Sequence, residues 1–210
     1  MKNNKRKIFL LGPQGSGKGT QAARLAKKLS IPAISVGQLL RQEVRLRTET
    51  GKEIQDIVAR GALVPDRVTA RVLRERLGRP DAAHGYILDG FPRNVAQMKA
   101  FDFDEPTHVI VLNINRDEAF ARIADRLTCT KCGHVYQKSL GYMAGQSCEC
   151  GGILEARKDD EPETIAKRLD VFEEETRPVI GAYDKQGIAC EVNAMGSIEE
   201  VEGRLMMCVG

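Results

Sequence analysis

The sequence has no tryptophan, and its aromatic residues amount to only 5%. A surface that stacks nucleic-acid bases needs aromatics interleaved with basic residues, so no nucleic-acid partner is expected. Charge of one sign is not in excess either: the formal net charge is +3, with Lys and Arg interspersed among Glu and Asp. That balance argues against an anionic-membrane or nucleic-acid surface. No stretch of eighteen apolar residues occurs, which excludes an apolar membrane-spanning helix. The start, residues 1–7, is basic on balance and precedes only four apolar residues at 8–11, too few for the hydrophobic region of a secretory signal. A cytoplasmic protein is therefore expected. Repeats, low-complexity tracts and heptads are also missing, and a monomer is expected.

The 210 residues, 42% hydrophobic and 29% charged, suffice for one sizeable core with insertions. Five short apolar runs read as strands, at 7–11, 33–36, 86–88, 108–114 and 188–192. Helical spacing separates them, as in Ala22, Leu25, Ala26 and Leu29, in Val68, Val72 and Leu73, and in Ile198, Val201 and Leu205. Such alternation predicts an α/β fold: a five-stranded parallel sheet, helices on both faces, and ligands at the carboxyl ends of the strands. Two stretches fit the alternation poorly. Residues 37–64 read as short helices ending at Gly61 and Pro65, and residues 127–160 are Gly- and Cys-rich without a helical period. The second is too long for a structureless connection and needs stabilisation of its own.

Gly12-Pro13-Gln14-Gly15-Ser16-Gly17-Lys18-Gly19-Thr20 follows the first apolar run and opens a helical pattern. Glycines in such a loop let consecutive backbone N–H groups converge on phosphate oxygens, while Lys18 adds a point charge and the next helix its positive end. A phosphorylated ligand is expected. Most loops of this kind place Ser or Thr directly after the lysine to hold magnesium; here Gly19 intervenes before Thr20. The metal is then expected to be held through water and by a carboxylate elsewhere. Asp89, closing the apolar run 86–88 before Gly90-Phe91-Pro92-Arg93, is the candidate. A GTP-dependent switch is not expected, because no N-K-x-D segment is present.

Arginines recur where such a fold would aim them into one cleft: Arg41, Arg93, Arg122, Arg126, Arg157 and Arg168. Arg122 and Arg126, four apart on a predicted helix, would share a face, and Arg157 and Arg168 bracket the Lys158-Asp159-Asp160 turn and the helix after it. Two polyphosphate ligands would justify that density, since guanidinium groups hold phosphates by paired bonds and stabilise charge that spreads during transfer.

The loop G-x-x-G-x-G-K-G-T-Q resembles those of nucleoside monophosphate kinases, and D-G-F-P-R followed by Gln97 resembles the AMP-holding segment of adenylate kinases. With Arg41, Arg122, Arg126 and the stretch 156–169, the resemblance covers nearly the whole chain. It implies a three-layer P-loop fold with a core of residues 1–35, 65–126 and 161–210, and two mobile insertions: an AMP-binding segment, 36–64, and a lid, 127–160. It further implies reversible, magnesium-dependent transfer of the terminal phosphoryl of ATP to AMP. By the resemblance Gly12, Gly15, Ser16, Gly17, Lys18, Gly19 and Thr20 bind ATP phosphates, and Arg122 faces the adenine of ATP. Arg126, Arg157 and Arg168 close over the transferring group, Asp89 serves the metal, and Arg41 and Arg93 clamp the AMP phosphate. Val36, Val64, Gly90 and Gln97 complete the AMP site, Gln97 on the adenine edge. UMP/CMP kinase is the alternative within the class. Where the family reads S-T-G-D-M-L-R, this chain has Ser35-Val36-Gly37-Gln38-Leu39-Leu40-Arg41. Val36 matches Thr in shape but forms no hydrogen bond, a loss of about 0.5–1.5 kcal/mol in AMP binding.

Cys129-x2-Cys132, then fifteen residues, then Cys148-x-Cys150, with glycines after each pair, reads as a tetrahedral thiolate site. Lids of many bacterial adenylate kinases carry such a structural zinc, but with a second pair spaced C-x2-C or C-x2-D, one residue wider. His134 is a conceivable substitute ligand. Cys190 and Cys208 are expected to be buried or incidental.

Overall fold

The computed structural model describes residues 5–101, 103–157 and 160–210. Lys158 and Asp159, named above for the turn before Asp160, lie outside the described residues. The chain runs β1 (Arg6–Leu11), α1 (Lys18–Leu29), β2 (Ala33–Ser35), α2 (Val36–Arg45), α3 (Glu49–Ala59), α4 (Asp66–Leu77), β3 (Gly85–Asp89), α5 (Val95–Ala100) and β4 (His108–Asn113). It continues with α6 (Arg116–Ala124), β5 (Arg126–Cys129), β6 (Val135–Gln137), β7 (Leu154–Glu155), α7 (Pro162–Val171), α8 (Arg177–Lys185), β8 (Ala189–Asn193) and α9 (Ile198–Met207).

Five of the strands form one parallel sheet in the order β2-β3-β1-β4-β8. Successive side chains on a strand point to opposite faces, so the unbroken apolar run of β1 fills two cores at once. Phe9 and Leu11 pack with Val72, Leu73, Phe101, Val179 and Tyr183 on one side. Ile8 and Leu10 pack with Ala22 and Leu25 of α1 and Val201 and Leu205 of α9 on the other. The fold is the three-layer α/β arrangement expected from the sequence. β1 lies between β3 and β4, so the crossovers diverge on either side of it, and the crevice beyond its carboxyl end is where such a sheet receives ligands.

A second, antiparallel sheet of order β6-β5-β7 gives 126–155 its own framework, with Leu127, Cys129, Cys148 and Leu154 as its buried cluster. Two local expectations are corrected. Val36 is not the end of a strand but the first residue of α2, because the strand stops at Ser35, whose extended backbone precedes the helix. Arg126 is not on the helix of Arg122: α6 ends at Ala124, Asp125 takes the C-terminal cap, and Arg126 opens β5. The two arginines therefore leave separate elements and share no helix face.

Candidate active site

The phosphate loop turns tightly around three left-handed glycines, Gly12 at φ 139°, Gly15 at 84° and Gly17 at 84°. At the first two, space as well as φ excludes a side chain: a Cβ on Gly12 would sit 2.4 Å from the carbonyl oxygen of Leu112, and one on Gly15 2.4 Å from that of Ala119. The loop thus presses against β4 and α6. Gly17 caps α1 without a side chain, so the first-turn N–H groups of that helix face the loop without a side-chain acceptor. Lys18 folds back to donate to the carbonyls of Gly12 and Pro13, both at 2.7 Å, and reaches Ser16 Oγ at 3.4 Å. Burial pulls its ammonium down to about 8; the Asp89 carboxylate opposes that, while Arg93, Arg168 and Arg126 reinforce it. One lysine thus feels a carboxylate and three guanidinium groups supplied by four other segments.

Asp89 ends β3 in register with Leu10 of β1 and Ser35 of β2. A Cβ on Gly19 would stand 3.6 Å from its Oδ2. The missing side chain after Lys18 therefore leaves the space before the carboxylate clear, and a hard oxygen donor beside a phosphate loop suits a hydrated magnesium ion.

Val36, Arg41, Val64, Gly90, Arg93, Gln97 and Arg168, all named from the sequence, line one cavity together with Gly37 and Thr69. Arg41 and Arg93 converge over Gly37: a Cβ there would lie 3.1 Å from Arg41 Nη1 and 3.5 Å from Arg93 Nη2. Arg93 is held on three sides. Its Nε donates to the carbonyl of Gly90 at 2.9 Å, its N–H to Gln97 Oε1 at 2.9 Å, and its carbonyl accepts from Thr176 Oγ1 at 2.7 Å. Gln97 is buried, lines the cavity and accepts that N–H through its Oε1.

Arg126 pairs two-pronged with Asp160, which also accepts from Arg168 at 3.2 Å. Arg122 pairs with Glu118 at 2.7 Å and donates to the carbonyl of Ala194 at 3.2 Å. Arg157, half-buried after β7, is not among the residues lining the cavity. Asp160 and Thr176 were not singled out from the sequence, and no local spacing marks them: their partners lie 8 to 83 residues away.

The sulfurs of Cys129, Cys132, Cys148 and Cys150 lie within 4.8 Å of one another. Closest are Cys129 with Cys150 at 3.4 Å and Cys132 with Cys148 at 3.7 Å. Four thiolates around zinc at about 2.3 Å would be separated by similar distances, so the set fits that ion. Backbone N–H groups after Cys129 favour its thiolate, drawing that thiol down to about 6. The tight second pair closes because Gly151 adopts φ 77° and Gly152 has no side chain; a Cβ on Gly152 would be 2.5 Å from Cys129 Sγ. His134 stands outside the cluster, with its ring against Tyr136. Cys190 and Cys208, expected to be buried or incidental, are half-buried and joined in a disulfide that ties β8 to the residue capping α9. Packing of α9 beside β8 brings them together, which an 18-residue separation in sequence does not reveal.

Glycines spent on backbone approach, a half-buried lysine inside the turn and a helix with uncapped N–H groups define a phosphate-loop nucleotide-binding protein. A family model described as adenylate kinase matches residues 10–188. The chain is 44% identical over 203 residues to the adenylate kinase of Thermodesulfovibrio yellowstonii, covering 93% of this chain and 94% of that protein. It is 42% identical over 209 residues to that of Streptomyces avermitilis, with 95% of each covered, and 39% identical over 211 residues to that of Syntrophobacter fumaroxidans, covering 97% and 99%. The chain belongs to the adenylate kinase family.

Proposed function

We propose that the protein catalyses reversible transfer of the terminal phosphoryl group of ATP to AMP, giving two ADP. The observation that carries the reading is the electrostatic reach between two candidate ligand sites: Arg93 and Arg168 line the cavity beside Gly37 and yet act on Lys18 of the phosphate loop. Donor and acceptor phosphates seated on those groups would meet between them. An oxygen of the AMP phosphate attacks the γ-phosphorus of ATP, the bond from that phosphorus to the β–γ bridging oxygen breaks, and ADP leaves. The attacking phosphate is already ionised near neutral pH, so no general base is required. Catalysis comes from alignment, guanidinium charge and exclusion of water.

In this reading Gly12 to Thr20 hold the donor phosphates, with Arg122 toward its base. Arg41 and Arg93 hold the acceptor phosphate, and Gln97 donates to its base, with Val36, Val64 and Gly90 as walls. Arg126, Arg157 and Arg168 surround the transferring group. Magnesium, bound through water to Asp89, would neutralise developing phosphate charge. Residues 36–64 and 127–160 act as moving AMP-binding and lid segments on a core of 1–35, 65–126 and 161–210. Zinc on the four cysteines supports the lid, and a site with four protein ligands has no position left for substrate. The balanced charge supports a cytoplasmic monomer without nucleic-acid or membrane partners; among the described residues no helix is long and apolar enough to cross a membrane.

The decisive experiment is a phosphoryl-transfer assay with ATP and magnesium across AMP, CMP, UMP and GMP. AMP should turn over fastest; preference for CMP or UMP would reassign the acceptor, and no transfer to any would overturn the reading.

A further inference from the structure

The helix that carries the acceptor cavity also touches the cysteine cluster. Val36, Gly37, Leu40 and Arg41 of α2 line the cavity, and Gln38 and Arg45, seven residues apart and so on one stripe of the helix that Arg41 borders, reach past it. Gln38 Nε2 donates to the carbonyl of Cys132 at 2.9 Å, and Arg45 Nη1 donates to the carbonyl of Thr130. Both acceptors belong to the first cysteine turn. That turn is internally fixed: Gly133 N–H donates to Cys129 O at 3.0 Å, Thr130 N–H to Ile153 O at 2.9 Å, and Lys131 N–H to Cys129 Sγ at 3.4 Å. Its two outward carbonyls therefore form a rigid acceptor pair. Gly133 makes the approach possible, since a Cβ there would lie 2.3 Å from Gln38 Nε2 and 2.8 Å from its Cδ. Further along, Gly61 packs against Arg168, where a Cβ would meet Cδ at 3.0 Å. Among the described residues the acceptor segment thus approaches the far side of the cleft at these two places, and the first is made of hydrogen bonds.

We propose that Gln38 and Arg45 are positioning residues that latch α2 to the backbone of the first cysteine turn and so set the fraction of molecules with the acceptor segment and the cysteine-bearing sheet closed over the cleft. The role rests on the phosphotransferase reading for its kinetic consequence but not for its geometry. Neither side chain touches the reacting atoms. The latch uses side-chain donors on one segment and only main-chain acceptors on the other, so its strength depends on the cysteine turn keeping its shape.

The test places a fluorophore pair, through non-native amino acids, at the exposed positions Lys52 on α3 and Leu140 at the end of the short 3-10 helix after β6, leaving all six cysteines intact. Gln38→Glu keeps the shape but removes the donors and sets a carboxylate against a carbonyl; Arg45→Ala removes the second donor, and Arg45→Lys keeps one. Without nucleotide, each loss variant should lower the ratio of short-distance to long-distance molecules about three- to tenfold, as expected for one hydrogen bond, while Arg45→Lys retains most of it. Melting temperature should not move. In steady state the loss variants should raise KM for both nucleotides by a similar factor with kcat unchanged or increased, because opening is no longer held back. An unchanged distance distribution in both loss variants overturns the latch, as does a shift that Arg45→Lys reproduces in full. Should the protein fail to phosphorylate AMP, the nucleotide-free distances still decide the matter.

Discussion

Arg126 and Asp160 meet in a two-pronged ion pair, Nε to Oδ2 at 2.5 Å and Nη2 to Oδ1 at 2.6 Å, and the same Oδ1 accepts from Arg168. One buried carboxylate thus sets the spacing of two guanidinium groups from different elements. Asp160→Asn replaces one acceptor by a donor and should splay them. The expected result is a fall in kcat of about ten- to a hundredfold with the fold intact, since small misplacements of charge in a transfer site cost that much. Single-turnover kinetics beside circular dichroism checks this; normal kcat would mean that bound phosphates align the arginines unaided.

Lys18 offers a pH signature. Its ammonium titrates at about 8 in the folded protein against 10.5 ordinarily, chiefly because it is buried. Charge needed for phosphate binding is present below that value and lost above it, so kcat/KM for ATP should decline as pH rises through about 8. Bound phosphate would raise the pKa, so kcat should hold to higher pH. The stability effect has its own sign: between 8 and 10.5 the unfolded chain holds the proton that the folded one has released, so this group makes stability rise with pH across that window. Lys18→Met should remove both effects and nearly all turnover; a pH profile of the two proteins is the measurement.

The loop glycines should differ in their tolerance of alanine. Gly15→Ala drives a Cβ to 2.4 Å from the Ala119 carbonyl, whereas at Gly17 a Cβ meets nothing within 4 Å. Gly17→Ala then costs only the left-handed backbone, about 1–2 kcal/mol, and should retain measurable activity. Gly15→Ala should lose nucleotide binding. Equal thermal denaturation and ATP affinity for the two would contradict the geometry.

Elemental analysis should find about one zinc per chain. Gly152→Ala, which would put a methyl 2.5 Å from Cys129 Sγ, should release the metal and lower the melting temperature. A metal-free wild type with unchanged melting would remove zinc's structural role.

At Val36, only 3% exposed and lining the cavity proposed for the acceptor, Thr would add a hydroxyl without changing shape. Val36→Thr should lower KM for AMP about two- to tenfold, the worth of one hydrogen bond. A KM that stays put would show that no group of AMP reaches this wall.

Much of this protein was legible in its chain because the relevant signals are local. The phosphate loop is a run of nine residues whose glycines and lysine state their geometry directly. The parallel sheet announces itself through apolar runs alternating with helical spacing, and Asp89 stands at a strand's end. Where a boundary depended on capping, local reading slipped, as when Asp125 ended α6 and sent Arg126 into a strand.

Sequence by itself determined which chemistry is available: a glycine-rich loop with its lysine, a carboxylate at a strand's end beside it, six candidate arginines and four thiols on two turns. Tertiary structure decided who meets whom. Asp160 joining Arg126 to Arg168, Thr176 bracing Arg93, Cys190 bonded to Cys208 and Gln38 reaching the carbonyl of Cys132 all pair residues from separate elements. Periodicity reports only on neighbours within a helix or strand, whereas these partnerships arise from how packed elements approach one another in space.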